Sequence, residues 1–307
     1  MSYYLNTTAN YHKNDLTTLG WELTVCNSLE PPDSPCRKAL KHPGSFGSLL
    51  YHFLARQIPL PEITSILEIG GGMGYLMRDF LSLNPSFKTT MLDISPFLLS
   101  RQKAALGNYN FKYQEMDIMD ASADYLAGFE LVILNENLGD FPTFVYQVNN
   151  DAAADISTVE RLKYFRENYQ LPLTLRENIN IGALEVLEKL CRAEIKYIYL
   201  SEHSCEALLP ENFAVTMEWK TNDNPEKISL QGHDEFTIKF SFLQKIAERF
   251  NYQVTRGCFA DFLEPDFNDR VQTSLRLVAA HTDEQEILRQ FIYDLFKYEY
   301  LILKKEE

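Results

Sequence analysis

Residues 66–74 read Ile66-Leu67-Glu68-Ile69-Gly70-Gly71-Gly72-Met73-Gly74, an apolar run entering a glycine-rich turn, and Tyr75 to Leu83 continue with helical spacing. Such a strand–turn–helix unit uses glycine because the backbone must take positive φ and come close to a ligand. The helix N-terminus behind it offers N–H groups that have no partner within the helix. Gly70, Gly72 and Gly74 form G-x-G-x-G, whereas the dinucleotide pattern needs its third glycine or alanine one place later, where this chain has Tyr75. The bulk of Tyr75 argues against NAD. Glu68 stands just before the glycines, and the next expected strand, Thr89 to Leu92, ends in Asp93. That is about the interval of twenty residues at which an acid meets a ribose in nucleotide-binding βαβ units. Together these features point to an adenosine-bearing ligand without a pyrophosphate, of which S-adenosylmethionine is the common one.

Outward from this unit, strands and helices alternate from Ile63 onward, which implies an α/β fold with a parallel sheet and helices on both faces. Upstream, Phe46, Leu49, Leu50, Phe53 and Leu54 mark a helix over Ser45–Gln57. Residues 1–44 are polar, with Pro31, Pro32, Pro35 and Pro43, and are expected to form an arm or lid over a catalytic domain spanning 45–307. Downstream, Ser95-Pro96 starts a helix of about ten residues, and strands are expected at Tyr109–Met116 and Phe129–Leu134. The alternation breaks after Pro142. Residues 143–178 read as an insertion with a helix near Ser157–Tyr169. The core pattern resumes with a helix at Gly182–Arg192, a fifth strand at Lys196–Ser201, a polar loop at 220–235 and a final strand at Tyr298–Leu303. Ser241 with Gln244 and Thr282 with Gln285 have the spacing of capping boxes opening two further helices.

Composition bounds the function. The 307 residues are 45% hydrophobic and 23% charged, ordinary for a globular chain with one large core. The net charge of −14, without a basic cluster, disfavours nucleic acid and leaves a basic protein or a small molecule as partner. The five cysteines are scattered with no C-x-x-C pair, so neither a disulfide framework nor a zinc site is expected. No apolar run approaches bilayer length, and Met1 to Asn6 lacks the basic and apolar parts of an export signal. The expected location is the cytoplasm.

The turn continues as Gly74-Tyr75-Leu76-Met77-Arg78-Asp79-Phe80-Leu81, which resembles the G-T-L-M-x-D-x-L of the MidA family of methyltransferases. That family includes the mitochondrial complex I assembly factor that methylates a protein arginine. Phe46-Gly47 before a helix is similar to the family's F-G, Asn135-Glu136 with Pro142 to its N-E-F-x-D-A-L-P, and Phe236 to Phe242 to its D-x-T-A-H-V-D-F. The likeness covers most of residues 45–304. It implies a class I methyltransferase sheet of seven strands, mostly parallel with the last antiparallel, S-adenosylmethionine as cofactor and a protein arginine as acceptor. Two departures fall on the substrate side. Gly139 replaces the family's aspartate, with Asp140 one place later, and Ser201-Glu202-His203-Ser204 replaces its D-Y-G.

Methyl transfer from a sulfonium is an in-line displacement in which alignment supplies most of the catalysis. The expected cofactor residues are Gly70, Gly72 and Gly74 beside the methionine part and ribose, and Asp93 on the ribose hydroxyls. Asp117, or Asp120 in its place, would meet the adenine amino group, and Glu68 either the cofactor's amino end or the helix it precedes. Asn135, Glu136 and Asp140 follow the fourth strand, where α/β sheets place reacting ligands. A carboxylate at Glu136 either grips a guanidinium through two hydrogen bonds or caps the loop 137–142. His203 and His233 fall on expected loops, each a base or a solvated side chain. Competing readings are a small-molecule O- or N-methyltransferase and a non-catalytic assembly factor that binds the cofactor only to fold.

Overall fold

The computed structural model describes residues 2–14, 24–147, 156–173, 176–210, 222–277 and 280–306. Seven strands form the main sheet: β1 (Ser65–Ile69), β2 (Lys88–Asp93), β3 (Phe111–Glu115), β4 (Leu131–Asn135), β5 (Tyr197–His203), β6 (Tyr252–Cys258) and β7 (Tyr298–Lys305). Their spatial order is β3-β2-β1-β4-β5-β7-β6. The first five are mutually parallel, and β7 runs antiparallel between β5 and β6. This is the class I methyltransferase fold.

The central strands read as unbroken apolar runs because each is covered on both faces. Successive residues feed opposite layers. Ile66, Leu131, Ile133 and Tyr199 pack with helices Phe46–Gln57, Tyr75–Leu83 and Asp283–Lys297, while Leu67, Val132, Leu134 and Ile198 pack with helices Ile181–Arg192 and Phe240–Arg249. Strand β6 has no such signature. Only Tyr252 on it is fully buried, and Gly257 interrupts its far end, so its periodicity is not legible in the sequence.

Two helix starts follow the expected cap chemistry. The Ser95 hydroxyl accepts the Leu98 amide at 3.3 Å, with Pro96 opening helix Pro96–Leu106. The Thr282 hydroxyl accepts the Gln285 amide, whose side chain returns to the His281 amide at 2.8 Å. Ser241 does not cap. Helix Phe240–Arg249 starts one residue earlier, and the Ser241 amide donates to Glu206 at 2.8 Å. The expected loop at 220–235, whose first two residues lie outside the described ones, contains a hairpin of Lys227–Ser229 against Asp234–Phe236 that turns through Gly232 at φ +98°.

Within 143–178, strand Thr143–Gln147 pairs antiparallel with Ser2–Asn6, and helix Ile156–Tyr169 buries Phe165 and Tyr169 on the second layer. Residues 148–155 and 174–175 of that segment, and 15–23 of the N-terminal one, lie outside the described residues. Among the described residues no helix is long and apolar enough to cross a membrane.

Candidate functional site

The carboxyl ends of β1, β2 and β4 open on a cavity of about 230 Å³, roofed by N-terminal residues Thr7 to His12 and Thr24 to Asn27. The glycine turn forms its floor. Gly70 (φ +62°) and Gly72 (φ +50°) hold conformations that favour glycine. A Cβ on Gly70 would stand 2.5 Å from Asn137 Nδ2, whereas one on Gly72, which lines the cavity, would meet no atom of the described residues within 4 Å. Gly74 does not line the cavity. Also at positive φ, it is the N-cap of helix Tyr75–Leu83, and a Cβ there would lie 3.0 Å from the Gln102 Cα, so its role is close packing.

Glu68 and Asp93 line the cavity side by side at the ends of adjacent strands. Glu68 is fully buried, and its Oε2 has no hydrogen-bond partner among the described residues. Burial, then the neighbouring Asp93, push its carboxyl up to about 8. Asp93 accepts the Ser95 amide at 2.9 Å and the Gln102 side-chain amide at 2.9 Å, and burial still lifts it to about 6. Asp117 lines the cavity beyond β3 and accepts the Met119 amide at 2.9 Å, while Asp120 stands off it. The site therefore gathers Glu68, Gly70, Gly72, Asp93 and Asp117 and leaves out Gly74.

On the opposite wall stand Asn135, Glu136 and Asp140. Glu136 sits at φ +53°, and its two oxygens accept the amides of Val25 at 2.7 Å and Cys26 at 3.0 Å. The carboxylate caps the N-terminus of the short helix Val25–Ser28, a segment over a hundred residues distant in sequence, rather than the loop 137–142. Burial lifts Glu136 to about 7 against these hydrogen bonds and one from Asn135 at 3.0 Å. Asn135 is fixed in turn by the Ser201 hydroxyl at 3.0 Å. Gly139 is enclosed: a Cβ there would lie 3.1 Å from the Phe236 carbonyl oxygen, and its amide donates to the buried Glu202.

Asp140 is held from the N-terminal segment. Its carbonyl accepts the Thr8 hydroxyl at 2.8 Å, and its carboxylate bonds His12 Nε2 at 2.7 Å. His233, expected as a solvated loop side chain or a base, is buried on the hairpin turn. It stacks on Tyr11 at 4.0 Å and pairs with Glu235 at 2.9 Å. His203, also expected on a loop, ends β5 with its ring 3.8 Å from that of Tyr298, and it does not line the cavity. Sequence reading missed Thr8, His12, Asn137 and Gln102. Only the fold joins them to the site, since no local spacing relates them to the residues they touch.

No family model matches the sequence, and no curated protein matches it significantly. Among solved structures, an uncharacterized ACR superfamily protein from Burkholderia thailandensis is 13% identical with a TM-score of 0.54, over 97% of this chain and 91% of that one. The plantazolicin methyltransferase BpumL in complex with SAH is 10% identical with a TM-score of 0.45, over 97% and 94% of the two chains. An S-adenosylmethionine dependent methyltransferase from Mesorhizobium loti is 12% identical with a TM-score of 0.46, over 84% and 98%. At such identities the likeness to the Burkholderia thailandensis protein is one of fold, and it extends over nearly the whole of both chains.

Proposed function

We propose that the chain binds S-adenosylmethionine in this cavity and transfers its methyl group to an acceptor on the Asn135–Asp140 side. The observation that carries this reading is the convergence of Glu68, the Gly70–Gly72 backbone, Asp93 and Asp117 on one cavity at the carboxyl ends of the strands. The residues fit such a ligand. The unpartnered Glu68 Oε2 is a buried acceptor for a cationic amino group, and Asp93 keeps spare acceptor capacity for ribose hydroxyls beyond its two bonds. Gly72 leaves room for a ligand beside the backbone. When bound, the cofactor supplies the electrophilic methyl. The chain's own residues bind, align and exclude water.

The acceptor implied by the family resemblance is a protein arginine. A guanidinium gripped by Glu136 would compete with the Val25 and Cys26 amides for the same two oxygens. With both Glu136 oxygens engaged by the seated N-terminal segment, the alternative, a small-molecule acceptor, is favoured. An arginine substrate needs that segment to withdraw. The test is transfer of a radiolabelled methyl group in a cell extract, resolved into protein and small-molecule fractions. Label in small molecules alone supports the seated arrangement, label in protein arginine supports withdrawal, and failure of the purified chain to bind the cofactor refutes the reading.

A further inference from the structure

The N-terminal helix Ala9–Asn14, the turn Leu138–Asp140 and the hairpin turn before Asp234 meet at one point beside the cavity, and each brings a metal-ligating side chain. His12 Nε2 lies 2.7 Å from Asp140 Oδ1, which lies 4.0 Å from His233 Nε2. Ligating atoms of all three residues fall within 4.8 Å of one another. His233 Nε2 is also 2.9 Å from Glu235 Oε1. Two imidazoles and two carboxylates are thus drawn together from segments separated by more than two hundred residues.

We propose that His12, Asp140 and His233 bind a divalent zinc-type cation, with Glu235, whose Oε1 already stands beside the same His233 Nε2, as the fourth ligand. The donor chemistry suits such an ion, because imidazole nitrogen with carboxylate oxygen is the set preferred by borderline divalent metals. Charge favours it as well, since one dication neutralises Asp140 and Glu235 together. The distances are near those required. Ligand atoms in a tetrahedral zinc shell stand about 3.3 Å apart, and the observed 2.7 and 4.0 Å straddle that value, so small rotations of His12 and His233 seat the ion. The same ion would tie the N-terminal helix to the cavity wall, because His12 and Asp140 both line the cavity. This site is independent of the methyl-transfer reading.

The test uses the full chain, free of any affinity tag and stripped with a chelator, in equilibrium dialysis against Zn²⁺ with the bound metal counted by mass spectrometry. The expected result is one equivalent bound by the wild type. His12→Ala and His233→Ala should weaken binding at least a hundredfold, Glu235→Gln by roughly ten- to a hundredfold, and the exposed His42→Ala not at all. Should an alanine variant fail to fold, Co²⁺ on the wild type gives a second readout, with the intense visible absorption of a four-coordinate site expected. No stoichiometric binding by the wild type, binding unchanged in both histidine variants, or an octahedral cobalt spectrum would overturn the proposal. Binding of S-adenosylmethionine is measured on the same preparation, so failure of either assignment is seen separately.

Discussion

The carboxylate of Glu136 accepts the amide of Val25 at 2.7 Å, so a residue at the end of a core strand fastens a helix from the N-terminal segment. Charge-assisted bonds to backbone amides contribute roughly 1.5–3 kcal/mol each when shielded. Glu136→Gln leaves one acceptor oxygen for two amides. Hydrogen exchange at Val25 and Cys26 should accelerate about tenfold or more while exchange in β1 and β4 stays unchanged. Equal protection in the variant would show that the segment is held by its apolar contacts alone.

Asp93→Ala should weaken S-adenosylmethionine and its demethylated product by about ten- to a hundredfold, the loss of one charge-assisted hydrogen bond or roughly 1.5–3 kcal/mol. Calorimetry on wild type and variant measures it, with NAD as the ligand expected to give no heat. Tight NAD binding by the wild type would contradict the reading of Tyr75.

The turn glycines differ in what they tolerate. Gly70→Ala adds a Cβ 2.5 Å from Asn137 at positive φ and should lower stability by about 2–4 kcal/mol, combining backbone strain with overpacking. Gly72→Ala meets open space, so its stability cost should stay near 1–2 kcal/mol while its added methyl obstructs the ligand. Denaturant melts and titrations on both variants separate the two effects.

Glu68, Asp93 and Glu136 all have carboxyls raised by burial, to about 8, 6 and 7. The folded chain therefore keeps protons that the unfolded chain releases above the ordinary carboxylate range, and stability contributed by these groups falls as pH rises. For Asp93 the loss runs from about 4 to 6, and for Glu68 from about 4.5 to 8. The melting temperature should decline between pH 5.5 and 8.5, and Glu68→Gln, which cannot ionise, should flatten the decline. A profile identical in wild type and variant would mean that Glu68 is already charged in the fold.

What could be read from the sequence was local. The glycine turn, the Ser95 and Thr282 caps and strands β1, β2 and β4 carry their signals within a dozen residues, because apolar runs, proline and hydroxyl caps act over one or two turns of chain. Glu68, Asp93 and Asp117 reach the cavity from positions on, at the end of and just after strands that the sequence pattern marks. Strand β6 was not found, since its half-buried residues lack a period, and the Ser241 cap was misplaced because Glu206, far upstream, performs that role. The partners of Glu136 and Asp140 were out of reach for the same reason. Val25, His12 and His233 meet them only after the sheet has set the distance between segments that share no spacing.

The position of β7 has a consequence for the order in which the molecule can assemble. Its residues pair with β5 on one side and β6 on the other along nearly their full length, yet they follow all six other strands in the chain. As the polypeptide emerges from the ribosome, β1 to β5 can form a continuous parallel sheet, whereas β6 has no strand to pair with until β7 is made. Helix Asp283–Lys297 and β7 must arrive before that edge is filled, so the pairing of β6 waits on one eight-residue strand. Long-range closure of this kind is slow relative to local contacts. Until it happens, the edge of β5 is unpaired and open to capture by another strand.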